Sequence, residues 1–216
     1  MNIQLALDRY TIEEAIEIAK ATEDFVDWIE VGTSLIKEYG MVSVEKLKNA
    51  FPNKVIVADI KTIDNAYYEF DMCFRAGADV ATVMGVSPAA TINACIETAE
   101  RAGKRVMVDL LNTNNKQKKE LFQYKQAIFC AHISKDEQEI SGKQNIVTDQ
   151  TYDLTVQLAV AGGITLDSIA SFRELQPNVV IIGSAITKAK EKCLAAEQFK
   201  KVLLQWNEER KHENIR

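Results

Sequence analysis

The feature that most constrains this chain is a repeated unit. Short apolar runs at residues 3–7, 28–33, 55–58, 80–85, 106–110, 127–132, 156–163 and 179–184 each end in charged residues, histidine or glycine. Runs of this length bounded by turn signals read as buried strands, and the stretches between them carry helix signals or are long enough for a crossover. Thr11-Ile-Glu-Glu is a helix start. One helix is expected from Thr33 through about Ala50, and another from about Ala89 to Ala102. Phe199, Val202, Leu203 and Trp206 line one face of a final helix at the i, i+3, i+4, i+7 spacing. Parallel strands need such crossovers. Eight units in 216 residues predict an α/β (β/α)8 TIM barrel rather than a doubly wound sheet. No Pro/Gly/Ser linker interrupts the chain, so residues 1–216 are expected to form a single barrel domain. Residues 207–216 are expected to fray, and the polar stretches 111–126 and 134–155 to be the least regular.

Composition narrows the function classes. A formal charge of -5 argues against a general nucleic-acid binder. The longest apolar runs are strand-length, which implies no membrane segment, and Met-Asn-Ile-Gln lacks the basic and apolar regions of a signal peptide. A cytoplasmic protein is expected. Cys73, Cys95, Cys130 and Cys193 are dispersed without CxxC spacing, which indicates structural thiols rather than a zinc site or disulfide framework.

In a barrel of this kind the strands' C-terminal rim hosts the active site. Asp8, Glu30, Asp59, Lys61, Asp109 and His132 all stand at that side of their runs. The densest cluster is Val55-Ile-Val-Ala-Asp59-Ile-Lys61-Thr-Ile-Asp64. In an extended segment Asp59 and Lys61 share a face, with Asp64 on the turn beyond; alone, Asp64 reads equally as a helix cap. Glu30 and Asp59, on neighbouring strands, can share one hard cation such as Mg2+. Lys61 beside them can stabilise an enolate oxygen or serve as a Schiff-base nucleophile. The second role favours a depressed pKa, which adjacent acids oppose. His132 is suited to proton exchange near neutral pH, or is a structural histidine. Asp109 either orients substrate hydroxyls or caps a loop. Gly162 and Gly163 after strand seven, with Gly183 and Ser184 after strand eight, stand at the recurrent phosphate position of these barrels.

These motifs, Leu5-Ala-Leu-Asp8, Ile29-Glu-Val-Gly-Thr33, Ala58-Asp-Ile-Lys-Thr-Ile-Asp64, Val83-Met-Gly-Val86, Val108-Asp-Leu, Ala159-Val-Ala-Gly-Gly-Ile164 and Ile182-Gly-Ser-Ala-Ile-Thr187, resemble the orotidine-5'-monophosphate decarboxylase suprafamily over about residues 1–205. Within it the chain looks most like the 3-hexulose-6-phosphate synthase branch. The related branch comprises the 3-keto-L-gulonate-6-phosphate decarboxylases. The resemblance implies a homodimer with active sites at the interface, magnesium on Glu30 and Asp59, substrate contacts from Asp8 and Lys61, and Asp64 reaching into the partner's site. It further implies a sugar-phosphate substrate, D-ribulose 5-phosphate, deprotonated at C1 to a 1,2-enediolate that adds to a small aldehyde, formaldehyde. The decarboxylases would reach a related enediolate by losing carbon dioxide.

The decarboxylase pattern has Glu after strand five, Thr before the Gly-Gly of strand seven and Arg after the glycine of strand eight. Here Asp109, Ala161 and Ser184 stand there, as in the synthases. Against this, Lys135 is a basic residue where the decarboxylases carry Arg. His132-Ile-Ser departs from the synthases' His-Thr-Gly, and Lys61-Thr-Ile-Asp64 from their Lys-Ile-Met-Asp. A non-catalytic sugar-phosphate sensor on the same scaffold would keep the glycine loops and lose the acid-lysine cluster; the cluster is intact.

Overall fold

The computed structural model describes residues 1–141 and 155–213, without the side chains of Lys135, Glu137, Ser141 and residues 210–213. Eight parallel strands close on themselves in sequence order: β1 (Asn2–Leu7), β2 (Trp28–Val31), β3 (Val55–Thr62), β4 (Val80–Met84), β5 (Arg105–Asp109), β6 (Ile128–His132), β7 (Gln157–Ala161) and β8 (Val179–Ile182). The barrel inferred from the repeat is the observed fold. The connections carry α1 (Ile12–Thr22), α2 (Thr33–Tyr39), α3 (Met41–Ala50), α4 (Ala66–Arg75), α5 (Ala89–Ala102), α6 (Asn115–Leu121), α7 (Lys135–Ser141), a 3-10 helix (Ile169–Leu175), α8 (Ser184–Thr187) and α9 (Lys192–Glu213). Among the described residues no helix is long and apolar enough to cross a membrane.

The period of two along each strand divides the core into two layers. Leu5, Leu7, Ile29, Val31, Val83 and Val108 face outward, where Ala15, Leu35, Phe70 and Ile92 of the surrounding helices cover them. Trp28, Val57, Val80, Met107, Ile128, Ala159, Val179 and Ile181 pack inside the barrel. That inward parity carries polar residues to the C-terminal end: Gln4 and Ala6 lead to Asp8, Trp28 to Glu30, Val57 to Asp59, Met107 to Asp109 and Cys130 to His132.

At the opposite, N-terminal end a polar residue just before a strand ties down the strand preceding it. Asp27 accepts the Ile3 N–H at 2.8 Å, Asp79 the Ile56 N–H at 3.0 Å, and Asn178 Oδ1 the Leu158 N–H at 2.8 Å. Lysines neutralise the two aspartates: Lys200 Nζ lies 2.7 Å from Asp27, while Lys48 and Lys104 lie 2.8 and 2.7 Å from Asp79.

Local chemistry explains the helices. Thr11 and Glu14 form a reciprocal capping box at the start of α1, which satisfies amides that the first turn leaves unpaired. The single helix expected over residues 33–50 is instead two, broken at Gly40, whose φ of 63° suits a residue without Cβ. The polar stretches expected to be irregular hold α6, opened by an Asn114–Gln117 capping box, and α7. The rest of 134–155, residues 142–154, lies outside the described residues. The final helix runs on to Glu213, into the stretch expected to fray.

Candidate active site

The site begins with an irregularity in β3. Ala58 pairs with Ala81 of β4, but the next registered pair is Thr62 with Val83. β3 therefore spends four steps where β4 spends two. The slack is absorbed at Lys61, whose φ is 54°, a left-handed conformation that costs a non-glycine residue roughly 1–3 kcal/mol. The simple i, i+2 alternation expected for Asp59 and Lys61 is thus broken by a bulge. The two side chains still meet, because Thr82 holds the turn. Its hydroxyl oxygen accepts the Lys61 N–H at 2.9 Å and donates to Asp59 Oδ1 at 2.9 Å.

Lys61 Nζ donates to Asp59 Oδ1 at 3.0 Å and to Asp109 Oδ2 at 2.9 Å. Burial pulls the ammonium's pKa down, but Asp59, Asp109 and Glu30 together outweigh it and hold the group firmly protonated. An amine so held is a poor Schiff-base nucleophile. Asp109 is 3 % exposed; burial alone would raise its pKa, but the hydrogen bond and charge of His132 and the charge of Lys61 carry it well below the usual carboxylate range. Its Oδ1 accepts the Leu111 N–H at 2.9 Å, and its Oδ2 lies 2.9 Å from His132 Nδ1. An ionised carboxylate facing Nδ1 favours the proton on that nitrogen, leaving Nε2 as the ring's exchanging atom.

Glu30 is buried in the strand-two wall, where Gln4 Nε2 donates to its Oε2 at 2.5 Å. Burial first, then the Asp59 carboxylate, push its pKa up to about 8. Asp59 Oδ2 accepts from Thr33 Oγ1 at 2.6 Å. Asp8 Oδ1 accepts from both the amide (3.1 Å) and hydroxyl (2.6 Å) of Ser34. Gly32 permits this approach, since a Cβ there would lie 2.4 Å from the Asp8 carboxyl.

These groups share one cavity of about 550 Å³ with Gly162, Gly163, Gly183 and Ser184. The glycines differ in kind. Gly162 and Gly163 have φ of 110° and 64°, and a Cβ on Gly162 would strike Ile133 O at 2.7 Å. Gly183 has ordinary room for a Cβ, 3.7 Å from Ala6 O, so crowding does not demand glycine. Asp64 lies outside the cavity lining. Its Oδ1 accepts the Asn65 N–H at 2.7 Å, and exposed Ile63, Tyr67 and Tyr68 surround it in sequence. The Lys135 side chain lies outside the described residues.

Among the described residues no group of three or more His, Cys, Asp or Glu side chains stands together to hold a metal ion, so the carboxylates suited to magnesium here are a pair. Glu30 and Asp59 offer hard carboxylate oxygens in mutual repulsion, which a cation would relieve. Beside them Gln4 Oε1 is, among the described residues, a buried side-chain oxygen with no hydrogen-bond partner. An acceptor left unpaired next to a cluster of carboxylates suits a bound water of such an ion. Sequence reasoning missed Gln4, Thr33, Ser34, Thr82 and Arg9, which all line the cavity. Gln4 had a usable signal, since it shares the inward parity of Asp8 within an apolar run.

Residues 1–199 match the family model described as orotidine 5'-phosphate decarboxylase / HUMPS family. The chain is 35% identical over 210 residues to the 3-hexulose-6-phosphate synthase of Bacillus subtilis (strain 168), covering 95% of this chain and 100% of that one. Among solved structures, the 3-hexulose-6-phosphate synthase of Salmonella typhimurium superposes with a TM-score of 0.90 at 35% identity, over 95% of this chain and 100% of that one. The 3-keto-L-gulonate-6-phosphate decarboxylase of Vibrio cholerae O1 gives 0.84 at 29% identity, over 95% and 98%.

Proposed function

The chain belongs to the orotidine 5'-phosphate decarboxylase / HUMPS family, and within it we propose that it is a 3-hexulose-6-phosphate synthase, joining formaldehyde to C1 of D-ribulose 5-phosphate. The observation that carries this reading is the protonated Lys61 held between Asp59 and Asp109 at the floor of a cavity whose other wall is two glycine loops. The named relatives support the synthase branch, as do Asp109, Ala161 and Ser184 at the positions that separate the branches.

The glycine loops bind the phosphate end and set the reach of the sugar into the barrel. Glu30 and Asp59 would hold Mg2+, which when bound supplies positive charge to the substrate's oxygens. Lys61, fixed and charged before substrate arrives, donates to the oxygen on which negative charge develops as C1 loses its proton. Asp109 keeps Lys61 and His132 in place. Asp109 faces His132 Nδ1 at 2.9 Å, and we assign the proton transfer to the ring's other nitrogen, Nε2. The C1 carbanion equivalent then attacks the formaldehyde carbon, and the resulting alkoxide takes a proton to give the hexulose 6-phosphate.

We assign Asp64 to the second copy of a homodimer. It lies outside the lining of its own cavity, and the exposed Ile63, Tyr67 and Tyr68 beside it (57%, 51% and 60%) make an apolar face suited to burial against another chain.

The test is the initial rate of formaldehyde consumption with D-ribulose 5-phosphate, with magnesium and with excess chelator. Magnesium-dependent consumption is expected. Full activity in chelator refutes the metal assignment. No consumption by folded, magnesium-loaded protein, together with carbon dioxide release from 3-keto-L-gulonate 6-phosphate, replaces the synthase reading with the decarboxylase one.

A further inference from the structure

A phosphate dianion cradled by backbone N–H groups gains most from a cation that is not already spent. Among the described residues the cations lining the cavity are Arg9, Lys37 and Lys61. Lys61 is committed to Asp59 and Asp109. Lys37 sits on α2, after β2, two strands from the nearer glycine loop. Arg9 follows β1, which is hydrogen-bonded to β8, and its guanidinium reaches Glu139 on α7, after β6, with Nη1 3.3 Å from Oε1.

The strand order gives that reach its meaning. Around the rim the shorter way from β1 to β6 runs past β8 and β7, whose ends carry Gly183 and Gly162-Gly163. Gln138, the neighbour of Glu139, confirms that α7 leans over this arc: its Oε1 is 2.8 Å from where a Gly163 Cβ would stand. The Arg9 side chain therefore reaches α7 from β1 on the side of the rim that carries both glycine loops, with which it shares the cavity lining.

Its backbone is built to put it there. Arg9 has φ of 62°, one of two cavity-lining cations in the left-handed region, the other being Lys61. Ser34 locks it, accepting the Arg9 N–H at 2.7 Å while donating to Asp8. Left-handed backbone costs a bulky residue more than one exposed ion pair returns. The pair with Glu139 is also poor by arginine standards, a single contact with both side chains more than half exposed, whereas the guanidinium fork suits a two-oxygen anion.

We infer that Arg9 is the cation that binds the substrate's phosphate, and that Glu139 is its placeholder, displaced when the phosphate enters. The assignment rests on the reading of the glycine loops as a phosphate site. It makes Arg9 a binding residue, so its loss acts on KM by a larger factor than on kcat.

The experiment is calorimetric titration of inorganic phosphate into the full chain. Arg9→Ala, with an unchanged circular dichroism spectrum, is expected to weaken phosphate by about tenfold or more, and Arg9→Lys to recover part of the loss, since lysine supplies charge without the fork. Glu139→Gln is expected to tighten phosphate about threefold, by removing the competitor. Phosphate affinity within about twofold of wild type in folded Arg9→Ala overturns the assignment. If that variant does not fold, an unchanged affinity in Glu139→Gln overturns it equally. Arg9-dependent phosphate binding without formaldehyde consumption refutes the synthase reading and leaves this inference standing; aldol activity with Arg9-independent binding does the reverse.

Discussion

The two ends of the barrel spend carboxylates differently. At the N-terminal end Asp27 and Asp79 each take a strand N–H and at least one lysine ammonium, so both carboxylates are answered by the protein itself. At the C-terminal end Asp8, Glu30, Asp59 and Asp109 line one cavity in which Lys61 is the ammonium paired with carboxylates, those of Asp59 and Asp109. One end is saturated and the other is short of positive charge. Buried charges without partners are costly, so the deficit supports the proposed cation site. The same residue type is a rivet at one rim and, in the proposed reaction, part of the working site at the other, and its partners decide which.

Removing Lys61 should have the largest effect. Lys61→Ala deletes the preorganised donor and is expected to lower the aldol rate on the order of 10³-fold, measured as initial formaldehyde consumption in protein with a native circular dichroism spectrum. A fall of less than about tenfold would make Lys61 a rivet like its counterparts below, and would dissolve the contrast. The matching change at the other end is Asp79→Ala. It strands two half-buried lysines and unpairs the Ile56 N–H, and should cost about 2–3 kcal/mol of stability, or a Tm lower by about 5–10 °C, with kcat/KM held within about twofold. The pH response has a definite sign. Burial raises the Asp79 pKa, but the Ile56 N–H, Lys104 and Lys48 outweigh it and set it below its usual value of 3.8. Its stabilisation is therefore present above about pH 4 and lost on acidification below that, so Asp79→Ala should narrow its gap to wild type as the pH falls. Loss of activity without loss of stability would place Asp79 in the reaction instead.

The barrel was legible because each unit repeats the same signal, and the acidic rim because charges directly after apolar runs must face a mouth or a partner. What stayed hidden is what depends on distant partners or on backbone bending. Nothing in Asp59-Ile-Lys61 announces a bulge, because its cause is the Thr82 hydroxyl on the next strand. Nothing in the sequence singles out Arg9 after Asp8; only the left-handed backbone and the reach to Glu139 do so. The helix at 115–121 was hidden by its polar composition, although Asn114 and Gln117 carried its capping box. Gln4 was passed over because an amide inside an apolar run reads as a lapse in the pattern, whereas the closed barrel turns it toward Glu30.

Gln4 also tests the charge deficit most finely. Metal-free, Glu30 holds its proton up to about pH 8 because of burial and then Asp59. A raised carboxylate pKa makes the fold less stable as pH rises from the unfolded value of 4.5 through about 8. A bound cation must displace that proton. Calorimetric Mg2+ affinity should therefore climb by about tenfold per pH unit below 8 and level off above it. Gln4→Leu removes the amide that helps Glu30 ionise, so the break should move to higher pH and affinity at pH 7 should fall about threefold to tenfold, on the order of 1 kcal/mol. The same change deletes an unpaired buried oxygen, so the metal-free protein should lose less than about 1 kcal/mol of stability. The opposite pattern, a Tm drop like that of Asp79→Ala with unaltered Mg2+ affinity, would make Gln4 one more rivet. The orphan oxygen would then be a packing defect, and the proposed cation site would lose its support.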